Sequence, residues 1–112
     1  MTVNDIREKI SATLVCGDVS REFDGVYVGD LLSRAMSKVE SDNLWVTIMS
    51  NVNVIAVACL TEPAAVILAE GVELGDEELN KAVDNGITVL CTKLSAYEIC
   101  CIVSKAESES KI

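Results

Sequence analysis

The chain has 112 residues, half of them hydrophobic and only 4% aromatic, which suits a single domain with one aliphatic core. Eighteen acidic residues against nine scattered basic ones leave a net charge of −9. That balance sets nucleic acid and anionic membrane surfaces aside as partners. The longest apolar run, Val54–Leu60, is far short of the ~18 residues a membrane span takes.

From the amino terminus, Val3, Ile6, Ile10 and Leu14 recur at helical spacing and predict a helix over Val3–Leu14, with Thr2 as its cap. A short strand over Leu14–Cys16 ends at Gly17-Asp18. Asp24-Gly25 is a turn signal, and Val26–Val28 reads as a short strand. Asp30 is placed to cap a second helix running to about Val39, with Leu31, Leu32, Ala35, Met36 and Val39 on its apolar face.

Three short apolar runs follow: Leu44–Met49, Ala64–Ala69 and Ile87–Cys91. Each ends in polar residues, and a helical segment follows each. Strand, crossover and strand is the grammar of a parallel sheet with helices on its faces. Val52–Leu60 is rich in valine and could be a strand, but parallel neighbours need a crossover between them, so it is read as a helix capped by Asn51 or Asn53. It is apolar almost all round and cannot face water. Cover by the sheet on one side and by a second copy of the chain on the other is the simplest arrangement. Homodimerisation through Val52, Val54, Ile55 and Cys59 is therefore expected.

Asp76–Asn85 is a helix with three acids in its first turn, stopped by Asn85-Gly86. Ser95 and Glu98 form a capping box for the last helix, flanked by Leu94 and Ile99 at staple positions. The fold class is α/β: a small single domain over residues 1–106, a mostly parallel sheet with helices on both faces, and a polar tail over 107–112.

The catalytic inventory is thin. The chain has no histidine, which excludes Ser-His, Cys-His and His-metal sites. Of the five cysteines, Cys59, Cys91 and Cys100 lie among aliphatic residues and act as small hydrophobes. Cys100 and Cys101 diverge by about 100° on a helix, and Cys16 and Cys59 lack partners at ligand spacing, so no metal and no cofactor is expected. Five cysteines without CxxC suggest a reducing compartment. With no secretory h-region in MTVNDIREKI, a cytoplasmic protein is expected. Cys91 or Thr92 beside Lys93 could act as a nucleophile only with a base that nothing supplies.

Function is then sought beyond the carboxyl ends of the strands, where such sheets bind ligands. Ser50, Asn51 and Asn53 follow one strand, Glu70 and Gly71 the next, and Thr92 and Ser95 the last, each near a helix start. Backbone N–H groups and hydroxyls there can hold a phosphate or carboxylate. The same residues can equally be plain helix caps. Tyr97 can stack on a ligand, while Trp45 reads as packing.

These segments resemble the DRTGG domain family, over roughly Tyr27 to Val103. Val28-Gly29-Asp30-Leu31-Leu32-Ser33 is similar to its opening segment, and Asn43–Ile48 to its GDLVIT strand. Ala65–Gly71 is similar to GLILTGG, and Val89–Thr92 with Tyr97-Glu98 to its VLST end. The family's Asp-Arg pair falls near Ser50-Asn51, and its Thr-Gly-Gly appears as Ala69-Glu70-Gly71. The resemblance implies a fold like the N-terminal domain of HPr kinase/phosphorylase. It also implies a non-catalytic regulatory module that senses a phosphorylated or nucleotide-like metabolite. A module that only docks on a partner enzyme is the rival expectation.

Overall fold

The computed structural model describes residues 1–110. Four apolar segments become parallel neighbours in a five-stranded sheet: β2 (Val26–Val28), β3 (Leu44–Thr47), β4 (Ala65–Leu68) and β5 (Val89–Cys91). The remaining strand, β1 (Thr13–Cys16), lies antiparallel on the outer edge of β5, giving the order β1-β5-β4-β3-β2. The domain is α/β with a mostly parallel sheet, as expected.

The helices are α1 (Val3–Lys9), α2 (Leu32–Lys38), α3 (Val52–Thr61), α4 (Asp76–Asp84) and α5 (Ala96–Ser110). Helices α2, α3 and α4 each connect one parallel strand to its next neighbour. Such crossovers are right-handed, so all three helices fall on the same face. Ala35, Val54, Ile55, Ala58 and Ala82 pack there against Trp45, Val66, Leu68 and Val89. On the other face, α1 and α5 cover Leu44, Val46, Ala65, Ile67 and Leu90 with Val3, Ile6, Ile99 and Val103. Alternation along β3 and β4 thus feeds two cores at once, and every residue of both strands is buried.

Several local expectations are corrected. The first helix stops at Lys9, because Ile10 turns its N–H back onto Glu8 and Ile6 and the chain must reverse to pair with β5. Leu14 therefore stands on a strand, 40% exposed. Asp30 does not cap α2, whose N-cap position is Leu31 and which has no side-chain cap. Its carboxylate instead accepts from the hydroxyl of Thr47 at 2.9 Å and the N–H of Ile48 at 3.0 Å, tying the carboxyl end of β3 to the turn after β2. Residues 107–110 of the expected polar tail are the helical end of α5. The rest of that expected tail, residues 111 and 112, lies outside the described residues.

The expected cover of α3 is also different. The helix forms where predicted, with Asn51 accepting from the N–H of Asn53 as its cap. Yet Val54 and Ile55 are 0% and 2% exposed within one chain. They cannot serve as contacts to a second copy. The sheet below and α2 and α4 at either side already cover most of this apolar helix. Val52 stays half-buried and Cys59 exposed.

Candidate functional site

The strand ends differ in where they send the chain. β4 leads to α4 on one face, and the adjacent β5 leads to α5 on the other. Open α/β sheets hold their ligand crevice where neighbouring connections part in this way. Here the innermost part of the crevice is closed by backbone. The N–H of Glu70 donates to the carbonyl of Leu94 at 2.8 Å, and that of Gly71 to Thr92 at 2.9 Å. Both Glu70 and Gly71 hold left-handed conformations, with φ of 60° and 76°.

Beside this closure opens a cleft of about 430 Å³. Ile10, Ser11 and Thr13 form one wall, from the turn between α1 and β1. Gly71 and Glu73 form the second, and Cys91, Thr92, Lys93 and Leu94 the third. The antiparallel register places Thr13 directly opposite Cys91, which brings the α1–β1 turn to this end of the sheet.

Thr92 is the pin of the cleft. It is 5% exposed, and its hydroxyl donates to the carbonyl of Ile10 at 2.8 Å while accepting from the N–H of Leu94 at 3.3 Å. That leaves the hydroxyl no proton to donate to a ligand and one lone pair with which to accept. Burial pushes the Cys91 thiol up from its ordinary 9.0, and the carboxylate of Glu73 adds to the shift. The thiol is therefore held neutral, the opposite of an activated nucleophile. Lys93 is exposed and supplies the only positive charge on the cleft wall. The cleft thus offers apolar surface from the partly buried Leu94, one ammonium for an anionic group, and one carboxylate for hydroxyls or amines.

The eight residues expected on the rim do not converge. Gly71 and Thr92 line the cleft, and Glu70 adjoins it. Asn51 spends its side chain capping α3. Ser95 spends its hydroxyl on the N–H of Glu98, and Glu98 returns a bond to the N–H of Ser95. Ser50 and Asn53 stand with Asn51 at the α3 end, beyond β3. Tyr97 is 78% exposed, beside Cys100 and Cys101 on the outer side of α5. Ser11 and Glu73 were not foreseen. Ser11 could have been found only by pairing β1 with β5, and Glu73 carries no local signal in its loop.

Among the described residues no group of three or more His, Cys, Asp or Glu side chains is placed to hold a metal ion, and no helix is long and apolar enough to cross a membrane.

The model of the DRTGG domain family matches residues 5–106. The chain belongs to the DRTGG domain family. No curated protein sequence matches it. Among solved structures, this DRTGG domain is similar to the CBS and DRTGG domains of the regulatory region of Clostridium perfringens pyrophosphatase, complexed with its activator diadenosine tetraphosphate. The TM-score is 0.77 at 17% identity, over 91% of this chain and 45% of that one. The chain therefore spans less than half the length of that relative, and the likeness is one of fold. The left-handed turn at Glu70-Gly71 lies where the family's two glycines fall, which explains why glycine suits both positions.

Proposed function

We propose that this DRTGG domain is a non-catalytic regulatory module that binds a nucleotide-like metabolite and acts as a homodimer. The observation that carries the ligand is the cleft at the parting of the β4 and β5 connections. Its chemistry fits a nucleotide better than a bare phosphate. Leu94 offers apolar surface to a base, Glu73 can accept from ribose hydroxyls, and Lys93 can meet one phosphate group. A bare anion finds Glu70 and Glu73 nearby and few unspent backbone donors, since the N–H groups of Glu70, Gly71 and Leu94 are already bonded. The neutral Cys91 thiol, and a Thr92 hydroxyl whose proton is held by the Ile10 carbonyl, support a binding role over a catalytic one. The regulatory setting of the pyrophosphatase relative supports the same reading.

Calorimetric titration and thermal shift with ADP, ATP and diadenosine tetraphosphate test it. A ligand present at ~100 times its dissociation constant raises stability by ~2.7 kcal/mol. Lys93→Ala and Glu73→Gln each reduce that shift if the cleft is the site. No shift with any of the three nucleotides would sink the nucleotide reading.

The rival reading is a docking subunit without a ligand. The spent donors of the rim favour it. It predicts a flat response to every nucleotide, with association to a partner enzyme as the only activity.

A further inference from the structure

The helical layer over the α2 face has an uneven charge pattern. α2 carries Arg34 and Lys38 and no acid, alone among the helices in having a net positive charge. α3 carries no charged residue at all. α4 carries Asp76, Glu77, Glu78 and Asp84 against Lys81. Because α3 packs between α2 and α4, this face runs positive, neutral, negative across its width.

The neutral strip is apolar and open. Val54, Ile55, Val57 and Ala58 face inward, and Val52, Ala56, Cys59 and Leu60 recur at i, i+4, i+7 and i+8 on the outward side. Leu60 is 71% exposed, and Met36 of the neighbouring α2 is 53% exposed. A chain of net charge −9 repels a second copy over most of its surface. This strip is where two copies can meet without opposing carboxylates.

We propose that two copies of the domain associate through this face, with the twofold axis lying alongside α3. Rotation about that axis sets α3 parallel to its counterpart and brings α2 of one protomer over α4 of its partner. Arg34 and Lys38 then face the acidic α4 twice over, as an isologous interface requires. An axis perpendicular to α3 would instead set α2 against α2 and α4 against α4, and like charges would oppose each other. The inference rests on the homodimer reading and adds its surface and symmetry.

Light scattering on the full chain tests the reading and the surface separately. The wild type is expected at twice the 12.0 kDa chain mass. A monomeric wild type would overturn the homodimer itself. Leu60→Asp and Ala56→Glu, both at outward positions and checked for folding by circular dichroism, are expected to weaken dimerisation at least tenfold. A folded variant that stays as dimeric as the wild type leaves the homodimer standing and overturns this surface. The paired change Arg34→Glu with Lys38→Glu is expected to weaken the dimer about tenfold, and adding Glu77→Lys with Asp84→Lys to restore it. Absence of rescue overturns the α2–α4 pairing. With Cys101→Ser removing the other exposed thiol, a short bismaleimide is expected to link Cys59 of the two protomers. Failure to link a dimeric sample overturns the parallel axis.

Discussion

The hydroxyl of Thr92 donates to the carbonyl of Ile10, 82 positions earlier, across 2.8 Å of buried space. This one bond joins the end of α1 to the carboxyl end of β5. It also sets the depth of the cleft, since Ile10 and Thr92 both line it.

Thr92→Val keeps the shape of the side chain and removes the donor. The Ile10 carbonyl then lies buried without this partner, and the N–H of Leu94 loses its acceptor. The variant should lose about 1–3 kcal/mol in urea unfolding. Thr92→Ser should recover most of it, because the hydroxyl returns. A valine variant as stable as the wild type would show that the bond contributes little.

Trp45 is the only tryptophan, is fully buried, and donates its indole N–H to the carbonyl of Gly29 at 3.1 Å. Its emission should be blue-shifted in the folded protein and move red in one step on unfolding. Since β3 is an interior strand buried on both faces, this signal should coincide with loss of helical circular dichroism. Two separated transitions would contradict a single cooperative core.

Glu70 holds φ of 60°, a conformation that costs roughly 1 kcal/mol for a residue with a side chain. Its side chain is exposed and makes no hydrogen bond or salt bridge among the described residues. Glu70→Gly should therefore raise the urea midpoint by up to about 1 kcal/mol of stability, partly offset by the extra freedom of glycine in the unfolded chain. Glu70→Val should lower it.

Burial raises the thiols of Cys16, Cys91 and Cys100 above their ordinary 9.0. The folded chain thus holds these protons longer than the unfolded chain does. Stability from this source is complete below pH 9 and falls as the pH climbs through the ordinary thiol value, because the unfolded state ionises first. Urea midpoints should decline from pH 8 to pH 10.5, and less so in Cys91→Ala. At pH 8, iodoacetamide should modify exposed Cys59 and Cys101 before Cys16 and Cys91.

The parallel strands were legible because β3, β4 and β5 are buried on both faces and so spell continuous apolar runs. The helical state of α3 was legible from topology, which overrode its valines. What covers α3 was not, because periodicity shows that a face is apolar and not which neighbour meets it; Val54 and Ile55 turned inward to α2, α4 and the sheet. Asp30 misled for a related reason. An acid before a helix reads as a cap, but the carboxylate of Asp30 bonds Thr47 and Ile48 across the sheet end and leaves α2 without a side-chain cap. Of the site, Gly71 and Thr92 were found through the strand-end rule. Ser11 was missed because its place depends on an antiparallel pairing between the two ends of the chain.

That pairing also governs how the domain comes into being. β1 lies against β5 alone, with Thr13 opposite Cys91. On a ribosome adding ~5–20 residues per second, the first strand waits roughly 4–15 s for its partner to be made. During that interval β2, β3 and β4 can assemble, while α1 has no finished surface to dock on. The α1–β1 segment is thus made well before its partner strand and is among the last parts of the domain to find its place, and a chain stalled before β5 would expose Ile6, Ile10 and Leu14 to chaperones.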